Sequence, residues 1–138
     1  MTTSTDCGNG CGPPGEFDRA TFRGDSFVFQ VQVLQGDGCT PQNITGWMAW
    51  FTAKEHYAVP DLQASIRLGT TLPLTGITFT SPSEGKMEII VPPSATVNFP
   101  DTAQCLVYDV QVKDGAGNVF TVELGTLTVR PDVTRAIS

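Results

Sequence analysis

Residues 26–34 read SFVFQVQVL, which is the clearest structural pattern in the sequence. Apolar side chains occupy every second position from Phe27 to Val33, and glutamines stand between them at Gln30 and Gln32. Successive side chains of a β-strand point to opposite faces of the sheet. The alternation therefore predicts a strand with one buried face and one polar face.

Other stretches have the alternation or the apolar character of short strands, and loops containing glycine or proline separate them. They cover residues 17–22, 44–51, 65–68, 76–80, 86–91, 105–113 and 119–130. Residues 114–118 read DGAGN, a short glycine-bearing loop that predicts a hairpin between the last two. Gly125 interrupts the final stretch and predicts a bulge there. We expect an all-β domain, a sandwich or small barrel of about seven antiparallel strands.

The chain has 138 residues, which fits one domain. Residues 7–15 read CGNGCGPPG and contain almost no apolar side chains, so this segment cannot fold by itself. We therefore expect an extended arm at residues 1–16, followed by a β-sandwich domain at residues 17–138 that ends in a short C-terminal tail.

Charge and hydropathy exclude two classes of partner. The net charge is −6 and the eight basic residues are scattered, whereas binding to nucleic acid needs clustered lysines and arginines. No stretch approaches the roughly 18 apolar residues of a membrane span. The first residues also lack the basic and apolar regions of a signal peptide, which predicts synthesis in a cytoplasm.

No catalytic motif is present. His56 is the single histidine, and it lies in a predicted loop, residues 54–64, without a nucleophile motif beside it. The carboxylates of Glu84, Glu88, Asp109 and Glu123 alternate along predicted strands, which favours a solvated face over a glycosidase pair. We expect no enzymatic activity and no cofactor.

Two tryptophans and one tyrosine are candidates for a binding surface. A spacing of three residues on one strand sends Trp47 and Trp50 to opposite faces, so one fills the core. The other would be covered by the loop that carries Tyr57, by a neighbouring subunit or by a sugar ring. The terminal segments contribute further candidates for an interface. The full set of candidate interface residues is Cys7, Cys11, Pro13, Pro14, Trp47, Trp50, Tyr57, Val133 and Arg135.

Several short segments, taken in order, resemble one family of tailed-bacteriophage proteins. They are RGDSF at 23–27, ITGW at 44–47, EGKM at 84–87, PPSAT at 92–96, YDV at 108–110, GTLTV at 125–129 and DVTR at 132–135. The order is similar to the immunoglobulin-like domains of phage baseplate and tail-fibre proteins, including the N-terminal domain of baseplate upper proteins. The resemblance covers roughly residues 20–135.

The resemblance implies an immunoglobulin-like β-sandwich and a virion component that attaches one part of the particle to another. Its partners would be other virion proteins and copies of itself. A protein that decorates the capsid is an alternative within the same fold. A carbohydrate-binding module is a further alternative from a different class, although few aromatic side chains are available for it.

Four cysteines are present, and their spacing does not favour zinc, because Cys7 and Cys11 are separated by three residues while Cys39 and Cys105 stand alone. In an immunoglobulin-like sandwich, we expect the end of the second strand and the start of the sixth to lie at the same end. Cys39 and Cys105 sit near those points, which predicts a disulfide or a close thiol pair. Free buried thiols are the alternative, because assembly in a cytoplasm opposes early oxidation.

Overall fold

The computed structural model describes residues 16–60, 63–70 and 76–131, without the side chain of Glu16. Eight strands lie within these ranges. They are β1 (Glu16–Phe22), β2 (Phe27–Gln32), β3 (Met48–Lys54), β4 (Ile66–Gly69), β5 (Ile77–Ser81), β6 (Lys86–Val91), β7 (Gln104–Lys113) and β8 (Val119–Arg130). No helix in the described ranges is long and apolar enough to cross a membrane.

The strands form two sheets. The five-stranded sheet has the order β1-β8-β7-β3-β4, and the three-stranded sheet has the order β2-β6-β5. An immunoglobulin-like sandwich likewise places its third strand and its last two strands in one sheet, as β3, β7 and β8 are here, and packs a second sheet against them. The prediction of an all-β sandwich of this kind is confirmed. The pairing of β1 with β8 is parallel, and the other ladders are antiparallel.

The core lies between the inner faces of the two sheets, and three aromatic rings form its centre. The Phe51 ring lies 5.8 Å from that of Phe29 and 5.4 Å from that of Tyr108, measured between centroids. The predicted alternation is confirmed for β2, β6 and β7. Their buried side chains are Phe29, Val31, Met87, Ile89, Val91, Leu106, Tyr108, Val110 and Val112.

The strand predicted from residue 44 begins at Met48. The residues before it form a turn, in which the Trp47 N–H donates to the Ile44 carbonyl oxygen at 3.0 Å. Ile44 is fully buried nonetheless, because its N–H donates to the Pro82 carbonyl oxygen at 2.8 Å and holds the turn against the core. An apolar run that packs from a turn has no period to distinguish it from a strand.

An extra residue in β8 changes which side chains face the core. Gln111 of β7 lies opposite Thr121, but its neighbour Val110 lies opposite Glu123, so Val122 is the bulged residue. Val122 and Glu123 are therefore both buried although they are consecutive in the chain. A bulge has this effect because it shifts the alternation by one residue.

The sequence predicted the bulge at Gly125, and this prediction was wrong. Gly125 instead allows the backbone of β1 to approach. A Cβ atom at this position would lie 2.0 Å from the carbonyl oxygen of Phe17, closer than atoms can pack. A residue without a side chain is therefore required where the two parallel strands meet.

Candidate protein interface

The side of the five-stranded sheet that faces away from the core is called the outer face here. Cross-strand register places its side chains in rows, with Trp50 opposite Gln111, Thr52 opposite Asp109 and Lys54 opposite Val107. On β3, β7 and β8 the outer face includes Met48, Trp50, Thr52, Lys54, Val107, Asp109, Gln111, Lys113, Val119, Thr121, Leu124 and Thr126. It joins side chains that are up to 78 residues apart in the chain, so only the assembled sheet creates it.

A groove of about 490 Å³ runs along this face. Among its lining residues are Thr52, Lys54, Val107, Asp109, Gln111, Thr121 and Leu124, with Tyr57 beside them. Tyr57 lies just beyond the end of β3 and is 77% exposed. The groove thus combines apolar contact area with hydrogen-bonding groups and a large exposed aromatic ring, which is the composition of a binding surface.

The polar side chains of the groove are ordered by one amide. The Gln111 Nε2 donates to Asp109 Oδ2 at 3.2 Å and to Thr121 Oγ1 at 3.4 Å. Both partners lie on the outer face, one on the same strand and one on β8. Ordered donors and acceptors lower the entropy that a binding surface loses when a partner docks.

The two tryptophans do not share a strand, so the argument from their spacing was wrong in its premise. Trp47 lies in the turn before β3 and packs partly buried against the core. Trp50 lies on the outer face and is half-buried, with its ring against β4. A Cβ atom at Gly69 would lie 2.8 Å from Trp50 Cδ1. The cover over Trp50 therefore comes in part from an edge strand of its own chain.

A buried charged cluster, which the sequence reasoning missed, joins β1 to the core. The Arg19 Nε and Nη2 atoms each donate to one oxygen of the Glu123 carboxylate at 3.0 Å. The Tyr108 hydroxyl donates to Glu123 Oε2 at 2.6 Å, and Arg19 Nε also donates to the Tyr108 oxygen at 2.9 Å. The guanidinium carbon lies 4.2 Å from the Phe29 ring centroid. We call Arg19, Tyr108 and Glu123 the Arg19 cluster.

The environment of this cluster favours a charged Arg19 and a neutral Tyr108 phenol. Burial lowers the pKa of Arg19, but the hydrogen bonds and charge of Glu123 outweigh it and raise the pKa overall. Burial, followed by the hydrogen bond to Glu123, raises the pKa of Tyr108 well above its ordinary value. The cluster therefore holds Arg19 as a cation and Tyr108 as a hydrogen-bond donor across the physiological range.

Glu123 is 2% exposed, so its expected place on a solvated face was wrong. The bulge at Val122 turns it inward. A signal in the sequence could have shown this, because Glu123 is in phase with Leu127 and Val129, whereas Phe120 and Val122 have the opposite phase. Both oxygens of its carboxylate accept hydrogen bonds within the cluster, so Glu123 fastens β1 to the core.

The structure does not bring Cys39 and Cys105 together, and their sulfur atoms are not bonded to each other. Cys39 lies in the loop that leads into Met48, and Met48 pairs with Lys113 at the end of β7. Cys105 is at the start of β7, about 27 Å from Lys113 along the strand at roughly 3.4 Å per residue. The expected proximity was mistaken because the loop after β2 and the start of β7 lie at opposite ends of the sandwich.

The remaining candidate residues of the sequence analysis lie in the terminal segments or in the turn after β3. Six of them lie outside the described residues, namely Cys7, Cys11, Pro13, Pro14, Val133 and Arg135. His56 lies in an exposed turn next to Tyr57. Within the described ranges, no group of three or more His, Cys, Asp or Glu side chains could hold a metal ion.

Comparisons with known proteins add one finding. No protein-family model matches the sequence, and no curated protein matches it. Among solved structures, the N-terminal domain of phage TP901-1 ORF48 is similar to this chain with a TM-score of 0.40 and 9% sequence identity. The alignment covers 86% of this chain and 85% of that one. A likeness at this level neither identifies a family nor assigns a function.

Proposed function

We propose that this protein is a non-enzymatic structural component of a bacteriophage particle, and that the outer face holds a neighbouring virion protein. The observation that carries the proposal is the groove of the outer face, with the exposed Tyr57 beside it and the half-buried Trp50 on the same face. The ordered resemblance of segments 23–27 to 132–135 to phage baseplate and tail-fibre domains supports the same conclusion. Placement in the tail or baseplate is preferred over capsid decoration on that resemblance.

The dimensions of the outer face suit a protein partner. Five strands at about 4.8 Å are roughly 24 Å wide, and seven residues of β3 are about 24 Å long. The flat footprint of nearly 600 Å², with the relief of its side chains, approaches the roughly 800 Å² per partner of a standard interface. The groove mixes the apolar side chains of Val107 and Leu124 with polar ones, so a partner would meet apolar contact area and hydrogen-bonding groups together.

The test is incorporation into particles. A phage lacking the gene is complemented with wild type, with Tyr57→Ala, or with Thr78→Ala as a matched exposed control on β5. Purified particles are quantified by mass spectrometry. We expect wild type and Thr78→Ala at one fixed copy number, and Tyr57→Ala reduced about tenfold or more, because tyrosines are frequent anchors of interfaces.

Two outcomes would contradict the proposal. One is the absence of the wild-type protein from purified particles. The other is Tyr57→Ala at the wild-type copy number. If the purified protein binds a glycan and Tyr57→Ala abolishes that binding, the groove belongs to a carbohydrate-binding module.

A further inference from the structure

Residues 1–15, called the leading segment here, join the described part of the chain beside the groove of the outer face. β1 begins at Glu16, and its register places Glu16 opposite Leu124. Leu124 lies opposite Asp109, and Asp109 lies opposite Thr52. One row therefore runs from the first residue of β1 across β8 and β7 to β3. The last three members of this row all line the groove.

Two features oppose a continuation of β1 along the edge of β8. Pro13 and Pro14, just before Glu16, have no N–H to donate to a ladder. On β8, the bulge at Val122 disturbs the regular backbone just before Leu124, which is the partner of Glu16. The leading segment thus meets an unsuitable edge on one side of its attachment point and the groove on the other.

The length of the leading segment matches the width of the groove. Three strand spacings separate β1 from β3 in the sheet order, which is about 14 Å at 4.8 Å each. The five residues 11–15 span about 15 Å in the polyproline II conformation, at 3.1 Å per residue. A segment that crosses the sheet along the row of Glu16 therefore brings Cys11 to the level of Thr52.

The chemistry of the leading segment suits the groove as well. Two consecutive prolines favour the polyproline II conformation, and segments of this kind bind grooves that contain aromatic rings. The ring of Tyr57 is 77% exposed and lines this groove, as do the apolar side chains of Val107 and Leu124. Pro13 and Pro14 have apolar rings that can pack against these three side chains.

Charge agrees with the same placement. The leading segment contains one acidic side chain, Asp6, and no basic one. Lys54 lines the groove two residues beyond Thr52, and Arg67 lies opposite Thr52 on β4. A segment that crosses from β1 to β3 therefore carries its acidic residue toward the side of the outer face where these two basic side chains lie.

We infer that residues 7–15 dock in the groove on the outer face of their own chain, with Pro13 and Pro14 over Leu124 and Asp109 and with Cys11 next to Thr52. Attachment at Glu16 gives the segment an effective concentration in the millimolar range at the groove, which favours its own chain over a second copy. The segment that follows residue 131 is placed less well, because Arg130 is six residues beyond Leu124, about 20 Å along β8.

The docking itself does not depend on the function proposed above, and only its consequence rests on that function. A neighbouring protein that binds the outer face would first have to displace the leading segment. Its apparent affinity is then reduced by the fraction of chains in which the groove is uncovered. The leading segment would thus regulate when the outer face becomes available.

The test is disulfide trapping in the purified full chain. Cys7→Ser, Cys39→Ser and Cys105→Ser leave Cys11 as the only native thiol, and the structure shows that neither Cys39 nor Cys105 is buried. Thr52→Cys then adds one thiol in the groove. Diamide accepts the two electrons and two protons that the two thiols lose when the disulfide forms. Peptide mapping identifies the bond, and a non-reducing gel separates single chains from linked pairs.

Val119→Cys in the same background is the matched control. Val119 lies on the outer face, is 54% exposed and is not among the residues that line the groove. It is about 14 Å from Glu16, since four residue steps along the sheet and one strand spacing separate them, so its distance equals that of Thr52. A segment without a docking site would react at least as fast with Val119→Cys, because Thr52 is only partly exposed.

We expect Cys11 to react at least about tenfold faster with Thr52→Cys than with Val119→Cys, because docking raises the local concentration of its thiol in the groove. Adding Pro13→Ser and Pro14→Ser should reduce this preference to about twofold or less, because the apolar contacts are lost. Circular dichroism and the thermal unfolding midpoint check that each variant is folded.

Three results would overturn the inference. Equal rates at the two positions, or a faster reaction with Val119→Cys, would show that the segment does not cross the groove. A disulfide that forms mainly between two chains would assign the groove to the segment of a second copy. A preference for Thr52→Cys that survives Pro13→Ser and Pro14→Ser would refute the placement of the prolines. All three are measured on purified protein, so they are separate from incorporation into particles, which tests the proposed function.

Discussion

Removal of Arg19 should expose the energetic cost of the buried Glu123 carboxylate. The substitution Arg19→Met keeps a long apolar side chain beside Phe29 but removes both 3.0 Å hydrogen bonds and the positive charge. Opposite charges about 4 Å apart interact with about 4 kcal/mol at an effective dielectric constant of 20. The Arg19 side chain is 22% exposed, so water compensates part of this loss. We expect a decrease of about 3 kcal/mol in the free energy of unfolding.

A second substitution in the same cluster gives the decisive comparison. Glu123→Gln leaves an acceptor for the Tyr108 hydroxyl, and it leaves a guanidinium that water can reach. It should therefore cost less than Arg19→Met. The double variant no longer contains a buried charge, so it should be more stable than Arg19→Met alone by about 1 kcal/mol or more.

The assay is urea unfolding at pH 7, followed by the fluorescence of the two tryptophans. Arg67→Met is the matched control, because Arg67 lies on the side of β4 that faces away from the core, and it should change stability by less than about 0.5 kcal/mol. The reasoning is refuted if Arg19→Met costs less than about 1 kcal/mol. It is equally refuted if the double variant is no more stable than Arg19→Met.

Two further predictions follow from single positions. Gly125→Ala should destabilise the protein by about 1–3 kcal/mol or more and remove hydrogen-exchange protection from β1, because the Cβ atom would collide with the Phe17 carbonyl. Gly36→Ala, which meets nothing within 4 Å, is the control, and equal effects at both sites would contradict this reading. In Tyr57→Phe the remaining tyrosine, Tyr108, should show no ionisation at 295 nm near pH 10, because burial raises its pKa. The pKa of Tyr108 is higher in the folded protein than in the unfolded chain, so its contribution to the free energy of unfolding is complete below about pH 10. That contribution is lost as the pH rises toward the folded-state pKa. An ordinary titration of Tyr108 near pH 10 in the folded protein would refute this.

The strands that the sequence predicted well are those with one buried and one solvated face. Period-two alternation is visible in β2, β6 and β7 because water contacts every second side chain. The start of β3 was not predictable in this way, since Ile44 is buried from a turn. The parallel pairing of β1 with β8 was not predicted either, because it joins residues more than 100 positions apart and no local pattern records it.

The sequence identified two residues at the candidate site but not its geometry. Trp50 and Tyr57 were identified from residue type, and both lie at the outer face. Their neighbours Asp109, Gln111 and Leu124 were not identified, because their meeting depends on register and on a bulge one residue long. The bulge was predicted at Gly125, after Glu123, whereas it lies at Val122, before it, and Glu123 was therefore assigned to the wrong face.

The parallel ladder between β1 and β8 has a mechanical consequence. Among the described residues, β1 begins at Glu16, level with Leu124, β8 ends at Arg130, and both strands run in the same direction. Tension applied between Glu16 and Arg130 therefore slides these strands past each other and does not peel them apart. All hydrogen bonds of the ladder carry the force together, as does the Arg19 bridge to Glu123, which crosses between the same two strands. A domain held under tension in an assembly would thus be secured by the ladder between β1 and β8.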